Sequence, residues 1–246
     1  MPRFFVPKEN IHDQRGTVTG SELEHMRRVL RLRTGDRVAL FDDEGWEHDG
    51  IIQSYSGRSA EIEILNSCQP ERESSLDVTL AQALGKGEKM DWVVEKATEL
   101  GVRSIVPFFS SRTVPRLDTK KVESRRERWK RIALSAAKQS GRTRIPEILG
   151  LIAFEDLMRR PWPSELKLIF LEEASLQGLT EIKEEKFHLS SVLLVIGPEG
   201  GFTHEEASEM MRHGFRSIGL GRRILRTETA ALAALSVVQF LWGDLA

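Results

Sequence analysis

The chain has 246 residues, 40% hydrophobic and 30% charged, with a formal net charge of −1. That balance fits an ordinary globular protein with core enough for one large domain or two smaller ones. A single cysteine, Cys68, excludes an internal disulfide and a cysteine-built zinc site, and the six histidines lack metal-ligand spacing, so no metal is expected.

The N-terminal run Met1-Pro2-Arg3-Phe4-Phe5-Val6-Pro7-Lys8 is broken by proline and charge, unlike a secretory signal. The most apolar stretch, Ala230–Trp242, is too short and alanine-rich to span a bilayer. A cytoplasmic protein with no membrane partner is the expectation.

Residues 1–70 read as a small β-rich unit. Strands are expected at Arg3–Val6, Arg37–Phe41, Glu47–Ser54 and Ser59–Leu65, with turns at Thr34-Gly35-Asp36, Glu44-Gly45 and Ser56-Gly57. A helix is expected over Ser21–Val29, with Ser21 and Glu24 as a capping box. The polar, proline-containing stretch Cys68–Ser75 marks a boundary, giving domains 1–70 and 75–246.

From Leu76 strands alternate with helices. Asp77–Ala83 is a strand, followed by the loop Gly85-Lys86-Gly87. The helix Lys89–Leu100 turns Trp92, Val93, Lys96 and Leu100 toward one face, and Gly101 ends it. After a strand at Ser104–Phe109, a helix over Glu123–Ser140 places Trp129, Ile132, Ala133, Ala136 and Ala137 inside. Strands at Leu166–Leu171, Val192–Ile196 and Phe215–Leu220 and a last helix, Glu228–Leu241, complete the pattern. Such alternation predicts an α/β fold with a mostly parallel sheet.

Charge is segregated along the chain. Twelve Lys and Arg between Arg112 and Arg144 face only Asp118, Glu123 and Glu127, and a second basic group is Arg27, Arg28, Arg31 and Arg33. Two readings fit: a surface for a phosphate backbone, or a solvated helix face.

The most informative stretch runs from Leu193 to Glu206. Leu193–Ile196 is a short apolar run suited to a buried parallel strand, and Gly197-Pro198-Glu199-Gly200-Gly201 is a glycine-rich turn. Thr203 and Glu206 then form a capping box at a helix start. Open α/β sheets bind nucleotide-like ligands at such a place, although a bare tight turn is the alternative. Neither G-x-G-x-x-G at this loop nor a P-loop pattern occurs, and Glu199 is badly placed for cradling phosphates, so a neutral or cationic ligand suits it better.

A second run, Leu220-Gly221-Arg222-Arg223-Ile224-Leu225-Arg226-Thr227-Glu228-Thr229-Ala230, closes the argument. With the glycine loop, Lys86–Met90, Glu95–Val102, Arg128–Arg142 and Arg3-Phe4-Phe5, the chain resembles the bacterial ribosomal RNA small-subunit methyltransferase E family. The resemblance spans essentially the whole chain. It implies S-adenosylmethionine-dependent methylation of N3 of a uridine in 16S rRNA of the small ribosomal subunit. It also implies a small PUA-like β-barrel followed by a knotted (trefoil) SPOUT-type parallel sheet domain, and a homodimer. Periodicity alone yields only a plain doubly wound sheet, since connections are ordinarily unknotted.

The resemblance places the cofactor among three loops: Leu171 and Glu172; Gly197, Pro198, Glu199, Gly200 and Gly201; and Leu220, Gly221, Ile224 and Leu225. Ile224 and Leu225 are equally readable as core. Glu199 is tolerable beside a ligand carrying a sulfonium and an ammonium.

Methylating N3 requires loss of its proton and places negative charge on the ring oxygens. Arg226 is the candidate cation, or else a salt-bridge partner of Glu228. Glu228 is the candidate base, or else merely an acidic residue serving the helix dipole. Arg3, Arg27, Arg28, Arg31, Arg112, Arg128 and Arg142 are the candidate RNA contacts. The rivals are a ribose 2′-O-methyltransferase of the same superfamily and a non-catalytic RNA-binding assembly protein.

Overall fold

The computed structural model describes residues 1–113, 119–172 and 178–245; Arg116 and Asp118 of the basic run lie outside these. The chain divides into two compact units, Met1–Glu73 with Ala137–Ile145, and Ser74–Ala136 with Pro146–Ala246.

The first unit is a half-barrel of six strands: β1 (Arg3–Phe5), β2 (Ile11–His12), β3 (Arg15–Thr19), β4 (Arg37–Phe41), β5 (Glu47–Tyr55) and β6 (Ser59–Cys68). They lie in the order β1-β4-β5-β6-β3-β2, with β1 parallel to β4 and the other pairs antiparallel. The β2–β3 hairpin turns through Asp13 and Gln14, both in the left-handed region (φ 47° and 61°), which matches the twist of the flanking strands. Neither residue is glycine, so this hairpin is not signalled by the usual turn pair. Phe4, Met26, Leu40, Ile52 and Ile62 fill the core of the unit.

Helix α1 (Gly20–Glu24) continues directly into a π-helical turn, His25–Val29. The expected Ser21–Glu24 capping box does not form, because the helix begins one residue earlier with Thr19 as N-cap. Glu22 takes on a different task, accepting from the Phe5 amide (3.2 Å) and from Lys138 Nζ (2.9 Å).

Residues 137–145 join this unit through polar pairings. Glu73 accepts from Arg142 Nε (3.0 Å) and Nη2 (2.7 Å), and from the amides of Thr143 (2.9 Å) and Arg144 (3.1 Å). A contiguous first domain ending at residue 70 leaves this segment out.

In the second unit every strand pairing is parallel: β7 (Asp77–Ala83), β8 (Ser104–Phe109), β9 (Glu147–Ile148), β10 (Ile152–Ala153), β11 (Leu166–Phe170), β12 (Ser191–Ile196) and β13 (Arg216–Ile218). The order is β10-β8-β7-β12-β11-β13, with β9 also on β8. The central strand β12 is buried and apolar from Val192 to Ile196, as a strand covered on both faces must be. The very short β9 and β10 carry too little pattern to be seen in sequence.

Among the described residues six helices belong wholly or mainly to this unit: α2 (Lys89–Glu99), α3 (Thr119–Ser140), α4 (Phe154–Arg159), α5 (Gly178–Glu185), α6 (His204–Arg212) and α7 (Thr227–Trp242). Helix α2 buries Met90, Val93, Val94, Ala97 and Thr98 and leaves Trp92 43% exposed, so of the four residues expected to share a face only Val93 lies in the buried stripe. The physical reason is the 3.6-residue period: positions 90, 93, 94 and 97 form one stripe, and Trp92 lies about 150° from its centre. After β13, at one edge of the sheet, the chain returns to pack α7 against α2, β12 and β7. Among the described residues no helix is long and apolar enough to cross a membrane, and no metal-ligating cluster occurs.

Candidate functional site

In a parallel sheet all strands point the same way, so the loops leaving β7, β12, β11 and β13 gather at one edge. There they wall a cleft of about 920 Å³, within the range of small-molecule sites (roughly 300–1,000 Å³). Leu171, Glu172, Gly197, Pro198, Glu199, Gly200, Gly201, Ile224, Leu225 and Arg226 all line it. Leu220 and Gly221 do not. Gly221 holds φ +116°, a conformation for glycine, and so shapes the turn that delivers Ile224 and Leu225.

The glycine loop is fixed from several sides. The Thr203–Glu206 capping box forms as expected, and Glu206 also accepts the Ser111 amide at 2.8 Å. Thr227 Oγ1 donates to the Gly197 carbonyl at 2.6 Å and accepts from Gln82 Nε2 at 2.9 Å. At Gly197 an added Cβ would sit 3.0 Å from the Phe202 ring, which would have to shift by a few tenths of an ångström to admit it. Arg112 reaches across to donate to the Gly200 carbonyl at 2.7 Å.

Glu199 accepts from the Lys86 amide (3.0 Å) and lies 3.0 Å from Lys89 Nζ. Burial pushes its carboxyl up, but the Lys86 amide, the loop's own amide and Lys89 together outweigh that and hold it below the usual range. Lys89 in turn is held above its ordinary value, chiefly by its hydrogen bond to Glu199, which together with Glu228 outweighs the loss of hydration. Glu228 Oε2 is 3.4 Å from Lys89 Nζ and lacks a hydrogen bond among the described residues. The alternative pairing of Glu228 with Arg226 is therefore replaced by one with Lys89. Arg226 is exposed, and among the described residues its guanidinium has no carboxylate partner.

Lys89, Gln82 and Thr227 are the residues that sequence reasoning missed. Lys89 carried a signal: it is a cation in the first turn of α2, where the helix dipole disfavours positive charge. Such a placement calls for compensating carboxylates, and Glu199 and Glu228 provide them.

The candidate RNA contacts separate into two groups. Arg27, Arg28 and Arg31 are exposed on the first unit, with Arg27 over the Tyr55 ring and Arg28 paired to Glu24. Arg112 lines the cleft, and Arg128 is half exposed beside Glu88 and Asp91. Arg3 and Arg142 are corrected to structural roles. Arg3 holds Glu47 at 2.6 Å and donates to the carbonyls of Ala137, Lys138 and Arg142; the Arg142 side chain is 6% exposed against Glu73. Their side chains, 14% and 6% exposed, present little surface to a phosphate.

Residues 72–239 match the RNA methyltransferase domain family, and residues 18–65 match the RNA methyltransferase PUA domain. The chain is 35% identical to ribosomal RNA small subunit methyltransferase E of Bacillus subtilis (strain 168), covering 98% of this chain and 96% of the relative. It is 31% identical to the same-named protein of Buchnera aphidicola subsp. Schizaphis graminum, covering 100% and 98%. The crystal structure of that enzyme from Neisseria gonorrhoeae bound to S-adenosyl methionine superposes with a TM-score of 0.88 at 34% identity, covering all of both chains. The two domains, the parallel-sheet cleft and these full-length likenesses lead to one conclusion: the chain belongs to the ribosomal RNA small subunit methyltransferase E family.

Proposed function

We propose that the protein is an S-adenosylmethionine-dependent methyltransferase that places a methyl group on N3 of a uridine in 16S rRNA. The observation that carries this reading is the convergence of the β11, β12 and β13 loops on one glycine-walled cleft. The residues present fit the cofactor. Ile224 is 78% exposed on the cleft wall, an apolar surface that a purine would cover, and the Gly197–Gly201 loop lines the cleft beside it.

When bound, the cofactor supplies an electrophilic methyl carbon on a sulfonium. Leu171, Gly197–Gly201, Ile224 and Leu225 would hold it. Arg226, at the N-terminus of α7, orients the acceptor through a ring oxygen or a phosphate, while Glu228 receives the N3 proton. Because N3 lies on the Watson–Crick edge, the target uridine is unpaired or extruded when it reacts.

Residues 1–70 form the PUA-like RNA-binding part, with Arg27, Arg28 and Arg31 as its phosphate contacts, and Arg112 and Arg128 serve the methyltransferase part. Return of the chain from β13 to α7 supports the trefoil knot implied by the family. Val237 and Phe240 on α7, 37% and 59% exposed, support a homodimer formed across that helix. The protein acts in the cytoplasm.

The test is to incubate the protein with labelled S-adenosylmethionine and 16S rRNA, free and in small subunits, then digest and analyse by mass spectrometry. A base methyl on uridine N3 supports the reading. A ribose methyl, or no methyl with intact RNA binding, replaces it with one of the two rivals.

A further inference from the structure

A second hollow, of about 830 Å³, adjoins the first and shares Lys89 and Arg226 with it. Trp92, Asp91, Arg128 and Glu228 complete its working wall. We propose that this hollow receives the acceptor uridine and that Lys89, on the wall shared by the two hollows, is the cation that holds the charge developing on the uracil ring. The proposal rests on the methyltransferase reading above and adds to it a place and a residue.

The geometry supplies three requirements. Donor and acceptor must lie in neighbouring spaces with nothing between the reacting atoms, and Lys89 and Arg226 are the two residues that line both spaces. A flat base needs an aromatic platform, and Trp92 stands 43% exposed at the start of α2 with no place in the core. The developing anion needs a fixed cation. Lys89 is held within 3.0 Å of Glu199 and 3.4 Å of Glu228, so it is anchored before substrate arrives.

Lys89 is unsuited to be the base. The two carboxylates favour its ammonium form, so at neutral pH it has no lone pair to offer. Glu228 lines the hollow and is the carboxylate assigned as base; its Oε2 is buried, 3.4 Å from Lys89 Nζ and without a hydrogen bond among the described residues. In the step, the N3–H bond breaks and its proton passes to Glu228. The N3 electron pair forms the bond to the methyl carbon, and the pair of the carbon–sulfur bond stays on sulfur, leaving a neutral thioether. Negative charge on O2 or O4 of the ring is greatest between these events, and there Lys89 acts.

The variants are Lys89→Met, which keeps the stem and removes the charge, Lys89→Arg, and Trp92→Ala. On 16S rRNA, Lys89→Met should lower kcat by about 100-fold, the effect of losing one preorganised donor. Its affinity for S-adenosylhomocysteine should stay within about threefold, and Lys89→Arg should recover part of the rate. The decisive readout uses RNA carrying 5-fluorouridine, whose N3 proton is more acidic: the deficit of Lys89→Met should shrink severalfold on that RNA and at raised pH. Trp92→Ala should weaken RNA binding about tenfold with S-adenosylhomocysteine affinity and sedimentation unchanged.

An equal deficit on both RNAs, a collapse of S-adenosylhomocysteine binding in Lys89→Met, or a Trp92→Ala protein altered only in oligomeric state would overturn the proposal. Wild-type protein that fails to methylate uridine N3 at all would instead overturn the underlying reading, so the two failures are distinct.

Discussion

Thr227 Oγ1 donates to the Gly197 carbonyl oxygen at 2.6 Å, tying the first residue of α7 to the loop that leaves β12. Gln82 Nε2 donates to the same hydroxyl from the end of β7, so three distant parts of the chain meet at one oxygen. Thr227→Val removes both bonds while preserving shape. We expect a loss of about 1–2 kcal/mol in unfolding free energy and weaker S-adenosylhomocysteine binding, with Thr227→Ser close to wild type. Denaturant unfolding and calorimetry read the two effects; an unchanged affinity in Thr227→Val sinks the idea that this hydrogen bond shapes the cleft.

Arg226→Ala removes an exposed guanidinium at the junction of the cleft and the neighbouring hollow. Methylation should fall by about 100-fold or more while cofactor affinity survives. Unchanged turnover on RNA refutes the assignment.

Gly221→Ala forces a Cβ into φ +116°, although open space surrounds it. The cost is backbone strain rather than a clash, about 1–3 kcal/mol. Since Gly221 shapes the turn before Ile224 without lining the cleft, binding should suffer through loop geometry. A fully stable Gly221→Ala protein with normal affinity counts against this.

Glu47 ties Arg3 and Arg72 together in the first unit. Burial pushes its carboxyl up, but hydrogen bonds from Arg72 and Arg3 outweigh that and hold it below its ordinary 4.5. A carboxyl lowered on folding contributes stability above pH 4.5 that is lost as pH falls below it. Glu47→Gln should therefore cost about 2 kcal/mol at pH 7 and flatten the acid limb of the melting curve. Equal acid sensitivity in both proteins contradicts the assignment.

Replacing Arg27, Arg28 and Arg31 together by alanine should weaken RNA binding. The salt slope should fall by about 0.7 for each single-strand phosphate that is no longer neutralised. Arg3→Ala should instead reduce stability first. A triple variant with the wild-type salt slope returns those arginines to the role of a solvated face.

Much of the second unit was legible because its signals are local. The run Leu193–Ile196, the glycine turn and the Thr203–Glu206 box lie within fourteen consecutive residues, and each expresses a short-range rule of burial, turn geometry or capping. β4, β7 and β8 match their expected bounds for the same reason. The short β9 and β10 and the β2–β3 hairpin were not legible, since a two-residue strand has no period to read.

By itself the sequence determined an α/β chain with a β-rich first part, a glycine loop at a strand end and motifs shared with a family of rRNA methyltransferases. Only the tertiary structure decided which charges are free to act. Arg3 and Arg142 look like any other arginines in a basic chain, yet each is spent on partners 44 to 139 and 69 residues away. Lys89 looks like an ordinary helix-start lysine until Glu199 closes on it from the β12 loop and Glu228 from the start of α7. Hydrogen bonds and ion pairs act over a few ångströms in space without regard to separation along the chain, so this division of labour among like residues is fixed only when the chain folds.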